Sequence, residues 1–162
     1  MQSFIHRVNR GDRALVRWMA EHGVVLLRVS LGIIFLWFGG LKFVPDLSPA
    51  EDLAQRTIET VTFGLVQPHV SIILLAAVEC LIGVGLITGV LLRATLLLLW
   101  LQMLGTVLPL FLFPQDTFIH APYAPTLEGQ YIIKNLVIIS ASLVIGGQSL
   151  RGGEAVPVPG DD

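Results

Sequence analysis

A chain of 162 residues that is 54% hydrophobic and 14% charged has too little polar sequence to clothe a soluble core, since soluble domains carry about 25% charged residues. Its formal net charge of -2 offers nothing to nucleic acid. Its single cysteine, Cys80, excludes an intrachain disulfide and any mechanism built on a CxxC pair. No P-loop, Gly-rich dinucleotide fingerprint or catalytic-triad pattern occurs.

Residues 1–23 place Phe4, Val8, Leu15 and Met19 at helical spacing against Arg7, Arg10, Arg13 and Arg17. That pattern fits a basic amphipathic cytoplasmic segment lying on an anionic membrane surface. A basic tail that only fixes topology fits equally, and Gly11 permits a break. The first apolar run follows at 24–44 (VVLLRVSLGIIFLWFGGLKFV). About 20 residues at ~1.5 Å each cross the ~30 Å hydrocarbon layer, and only a helix satisfies its own backbone there. The run is too long for a signal-peptide core, and Pro45 and Asp46 follow it instead of a cleavage site.

Ser48, Pro49 and Glu51 then form a helix start of N-cap serine, N1 proline and N3 glutamate. Leu53, Ala54, Thr57, Ile58 and Val61 line one face, and Asp52, Gln55, Arg56 and Glu59 the other. This predicts an amphipathic helix on the outer side, ending near Gly64 or Pro68. Three more apolar runs, 69–92, 94–114 and 130–150, complete an all-α membrane protein: a four-transmembrane-helix bundle over residues 24–150. A tight turn carrying Arg93 joins the second and third, and Pro122 and Pro125 stiffen the loop before the fourth. The tail at 151–162, with its glycines, prolines and acids, reads as flexible. Basic residues at both ends and at Arg93, against mainly acidic other loops, put both termini in the cytoplasm.

Ionisable groups at membrane depth need a reason, since each costs on the order of 2.5–3.5 kcal/mol on insertion scales. Arg28, Lys42, Glu79 and Lys134 are such groups. Glu79 lies ~13 Å below the outer boundary, Lys134 ~6 Å and Lys42 ~3 Å, with Arg28 some ~14 Å from Glu79. Lys134 is therefore the expected ion partner of Glu79, Lys42 the next, and Arg28 snorkels inward to lipid phosphate. Gln102 joins the candidate intramembrane polar site of Glu79, Lys134 and Lys42. The same group is explained equally by packing and insertion alone. Gly32, Gly39, Gly83, Gly85 and Gly89 are expected where helices approach closely. Cys80 reads as a small packing residue. His6, His22, His69 and His120 fall outside or at the edge of the spans, so no metal or haem ligand pair forms between helices.

The stretch LRVSLGIIFLWFGGLKFVPDL, followed by VECLIGVGLITG, resembles the DoxX-like family of bacterial membrane proteins. Gly39, Gly40, Lys42 and Phe43 carry the likeness in the first helix, and Glu79, Gly83, Gly85 and Gly89 in the second. The LWFG-x-LKF signature is most similar to the YkgB-like branch, and APTLEGQYIIKNLV also resembles the family. The resemblance covers residues 24–150. It implies a four-helix protein of the bacterial inner membrane related to a membrane subunit of thiosulfate:quinone oxidoreductase. Its expected role is that of a non-catalytic accessory or membrane-anchor partner of a redox system. The alternatives are a subunit that binds quinone or a sulfur anion, and a small transporter using Glu79. Quinone is the one cofactor implied. The partners are the lipid bilayer and either a protein partner or further copies of the chain.

Overall fold

The computed structural model describes residues 2–44, 47–48 and 51–149, with side chains from Asp12 onward. The first element, α1 (Gln2–Leu41), is one helix of 40 residues that continues through Gly11 into the first span. At ~1.5 Å per residue it is ~60 Å long, about twice the hydrocarbon thickness. Leu15, Val16, Trp18 and Met19 on its N-terminal part are exposed. The tail at 151–162 lies outside the described residues.

The amphipathic helix α2 spans Glu51–Val61; its Ser48–Pro49 start includes positions outside the described residues. α2 buries Leu53 and Thr57. It closes with bonds from Phe63 N–H to Thr60 O (3.3 Å) and from Gly64 N–H to Glu59 O (2.8 Å), the paired pattern of a Schellman end. Phe63 itself occupies the left-handed position (φ 53) and is 92% exposed.

Three further helices are long and apolar enough to cross a membrane: α3 (Pro68–Thr88), α4 (Leu92–Val107) extended by α5 (Pro109–Leu112), and α7 (Leu127–Ser149). With the Asp12–Leu41 part of α1, they form an all-α membrane bundle of four spans. Pro109 cannot donate a backbone bond, so the ladder resets there: the N–H groups of Phe111 and Leu112 both bond Leu108 O at 3.0 Å. Gly89 (φ 74) caps α3, and Arg93 lies in the first turn of α4 rather than in the connecting turn. The α4–α7 connection holds the short helix α6 (Pro114–Thr117) and an antiparallel hairpin, β1 (Phe118–His120) with β2 (Ala124–Pro125).

The core is drawn from all four spans: Leu31 and Phe35, Ile82 and Leu86, Leu96, Leu99 and Met103, and Ala141 and Ile145. The most extensive seam joins α1 to α3. A Cβ on Gly83 would stand 2.7 Å from Leu36 N, and one on Gly32 would stand 2.7 Å from Ile87 Cγ1. Glycine there lets dispersion contacts form between backbones, which in lipid replaces the missing hydrophobic drive between helices. Gly85 likewise admits Thr95 of α4, whose Cγ2 would lie 2.8 Å from an added Cβ. Across the bundle, Trp100 Nε1 donates to the fully buried Ser142 Oγ at 2.8 Å and ties α4 to α7.

Candidate functional site

The α1–α3 seam continues to Gly39, where an added Cβ would stand 2.8 Å from Glu79 Cβ and 3.0 Å from Cys80 N. One turn further, beyond the last residue of α1, Lys42 turns over the Glu79 carboxylate. Its Nζ donates to Glu79 Oε2 at 2.7 Å, and the two side chains are only 12% and 10% exposed. Gln102 reaches across from α4, and its Nε2 donates to Glu79 Oε1 at 2.9 Å. Lys42 Nζ also approaches Phe38 O at 3.4 Å. Three helices thus meet in one cluster in which both oxygens of Glu79 are satisfied. Such a pair is costly to break from one side, because the remaining charge has lost its water and its partner.

Lys134 does not join this cluster. It sits on the exposed face of α7, with its Nζ 5.7 Å from the centre of the Tyr131 ring. The expected Glu79–Lys134 pair is therefore corrected to Glu79–Lys42. Depth along a helix was right to exclude Arg28 but could not choose between two lysines, because it says nothing about which way a side chain points around the helix axis. Glycine packing decides that: it sets α1 directly against α3, while α7 lies against α1 and α4.

Arg28 also departs from expectation. Its Nη1 donates to Leu86 O at 2.8 Å and packs against Gly89. A cation therefore meets the free carbonyls at the C-terminus of α3, a placement the helix dipole favours. Cys80 points its Sγ toward Leu36 O at 4.0 Å, within the α1–α3 seam. His22, His69 and His120 are all exposed, and His22 stacks on Trp18 with ring centres 5.3 Å apart. Among the described residues, no group of three His, Cys, Asp or Glu is placed to hold a metal ion.

Beside the cluster, α2 roofs an apolar groove of about 280 Å³ whose walls include Ile58, Leu75, Pro109 and Ile132, with Gln102 in its lining. Sequence reasoning missed this groove; its only signal was the apolar face of α2, which had to lie on something. Arg56 holds the roof, pairing with Asp116 and lying over the Phe113 ring at 4.8 Å from its centre. Around them a wider, open depression is lined by Glu51, Asp52, Asp116 and Glu128.

Fold and site together define a four-span helical membrane protein, closed by a buried lysine–glutamate–glutamine cluster and an amphipathic helix laid over one end. The DoxX family model matches residues 23–113, more than half of the chain, and the chain belongs to that family. The match contains Lys42, Glu79 and Gln102 and excludes Lys134. The chain is also similar to the inner membrane protein RclC of Escherichia coli (strain K12), with 40% identity over 45 residues, 28% of this chain and 19% of that protein. The similarity thus spans far less than two thirds of the relative's length. No solved structure matches.

Proposed function

We propose that this chain is a multi-pass protein of the bacterial inner membrane, with both termini in the cytoplasm, that serves as an accessory or membrane-anchor partner of a redox system. The observation that carries the reading is the closed state of the Lys42–Glu79–Gln102 cluster. A sulfur-anion site at this cluster needs an available cation, and Lys42, the cation there, is engaged by Glu79. A proton or cation path needs a carboxylate that can exchange partners, and both oxygens of Glu79 are held. The cluster instead locks three helices at the end where α2 lies, which suits a scaffold that presents a fixed surface. The name of the RclC relative supports the inner-membrane location. Any quinone in such a system is, on this reading, carried by the partner.

Purification in mild detergent, with mass spectrometry of the bound polypeptides, lipids, quinones and sulfur anions, tests the proposal. A polypeptide partner in stoichiometric amount is expected. A stoichiometric quinone or sulfur anion with no partner polypeptide would overturn it.

A further inference from the structure

The link between α2 and α3 places its most apolar residues where the chain gives them almost nothing to touch. Phe63 is 92% and Leu65 86% exposed, and Val61 before them is exposed as well. Phe63 also holds the left-handed backbone (φ 53), which glycine adopts freely and a bulky residue only under strain. Strain and exposure both count against the fold, and so exposed a side chain has almost no contact within the chain to offset them. The polar groups of the link, by contrast, are satisfied from inside. The N–H groups of Thr62, Phe63, Gly64 and Leu65 donate to the carbonyls of Ile58, Thr60, Glu59 and Thr62 in that order. The Thr60 and Thr62 hydroxyls donate to Arg56 O and Ile58 O at 2.7 Å each. No Asp, Glu, Lys or Arg occurs between Glu59 and Glu79. α3 opens at Pro68, and its 21 residues, ~31 Å in length, fill the ~30 Å hydrocarbon layer, so Pro68 marks one lipid boundary. Leu65 lies no more than ~10 Å from that boundary, the reach of the chain that joins them.

Those features distinguish lipid from protein as the occupant of this surface. A protein interface carries about one hydrogen bond per 100–200 Å², and residues 62–65 have no N–H or charge left to offer one. Lipid asks for no hydrogen bond and requires only that backbone donors be satisfied internally. The exposed Val70, Ile73 and Leu74 of α3 carry the same uncharged run into the lipid-facing surface of the span. We infer that Phe63 and Leu65 form a wedge inserted into the lipid leaflet at the α2 end of the bundle, fastening the C-terminal end of α2 to the bilayer. Burial of the two side chains removes their apolar area from water and offsets the left-handed backbone of Phe63. This holds whichever way the molecule faces and whether or not it serves a redox partner.

The test uses the full chain carrying Cys80→Ala and one nitroxide-labelled cysteine, in vesicles of phosphatidylethanolamine and phosphatidylglycerol with a nickel chelate on both sides. Oxygen concentrates in lipid and the chelate in water, so the ratio of their collision rates with the nitroxide reports depth. Phe63→Cys and Leu65→Cys are labelled in separate proteins, each of which keeps the other apolar residue of the wedge. Both side chains are exposed, so neither substitution disturbs the core. Asp52→Cys, at an exposed position of α2, is the reference. Oxygen collisions are expected to exceed chelate collisions severalfold at 63 and 65 and to fall below them at 52. Chelate collisions that dominate at 63 and 65 as they do at 52 would put the link in water. Labels at 63 and 65 that neither reagent reaches, with immobilised spectra, would mean that a second copy of the chain covers them. Either result overturns the inference.

Discussion

Glu79 and Lys42 meet because Gly39 allows it. The helix backbones approach within reach of a carboxylate and an ammonium only where no Cβ intervenes, and an added Cβ at Gly39 would overlap Glu79 Cβ at 2.8 Å. The pair is nearly dry, so each group depends on the other and on Gln102 for what water would supply. Glu79→Gln or Lys42→Met alone is therefore expected to cost about 3–5 kcal/mol of stability, the range for one broken half of a buried pair. The double variant should recover much of that loss, giving a large coupling energy in a double-mutant cycle. Lys134→Met should cost under about 0.5 kcal/mol, as substitutions at exposed sites without such features do, and should be additive with Glu79→Gln. Reversible unfolding in detergent measures all of these. Coupling of Glu79 to Lys134 with none to Lys42 would refute the observed geometry.

At the scale of elements, length and hydropathy made the four spans legible, because crossing lipid is a one-dimensional requirement on a run of apolar residues. What the pattern could not convey was azimuth, and hence the choice between Lys42 and Lys134. Nor could it convey the hairpin of β1 and β2, whose short strands carry no alternation to read. The start of α7 is marked in the sequence by Thr126. Thr126 Oγ1 accepts from Gly129 N–H at 3.2 Å, a serine/threonine N-cap, so the helix begins at Leu127 rather than at Gln130. That same turn explains Gly129. A Cβ there would stand 3.0 Å from Thr117 C and 3.1 Å from Pro125 Cβ, and Thr117 is fully buried, so backbone would have to yield. Gly129→Ala should destabilise the protein by about 1–3 kcal/mol through overpacking, more than the ~1 kcal/mol that alanine gains in helix propensity. Gly147→Ala on the same helix, where an added Cβ meets nothing within 4 Å, is the control and should be neutral or stabilising. Unfolding midpoints of the two variants check the contrast; equal effects would mean that α7 is not seated on the α6 turn.

For the whole molecule, the two ends differ in charge, and that difference argues for one orientation. Arg28 meets the C-terminus of α3 and Arg93 opens α4, so both lie at the end where α3 hands over to α4, and Arg13 and Arg17 lie further out on the same side, along the N-terminal part of α1. Glu51, Asp52, Asp116 and Glu128 gather at the opposite end, where Arg56 is tied to Asp116. Four spans bring both termini to one side, and short basic loops are retained in the cytoplasm. The α3–α4 turn is therefore expected inside, and α2 with the β1–β2 hairpin outside. Exposure supplies sites at which to check this. Val90 in the turn is 64% exposed and Tyr123 in the hairpin 80%. With Cys80→Ala as background, a single cysteine at Tyr123 should react in intact cells with a maleimide that can pass the outer membrane but not the inner one. One at Val90 should react only after the inner membrane is permeabilised. Reducing the inner-side charge by Arg13→Gln, Arg17→Gln and Arg93→Gln should weaken this contrast, since the basic residues set the orientation. Labelling of Val90 in intact cells, with protection of Tyr123, would invert the molecule and place the acidic depression and the α2 groove on the cytoplasmic face.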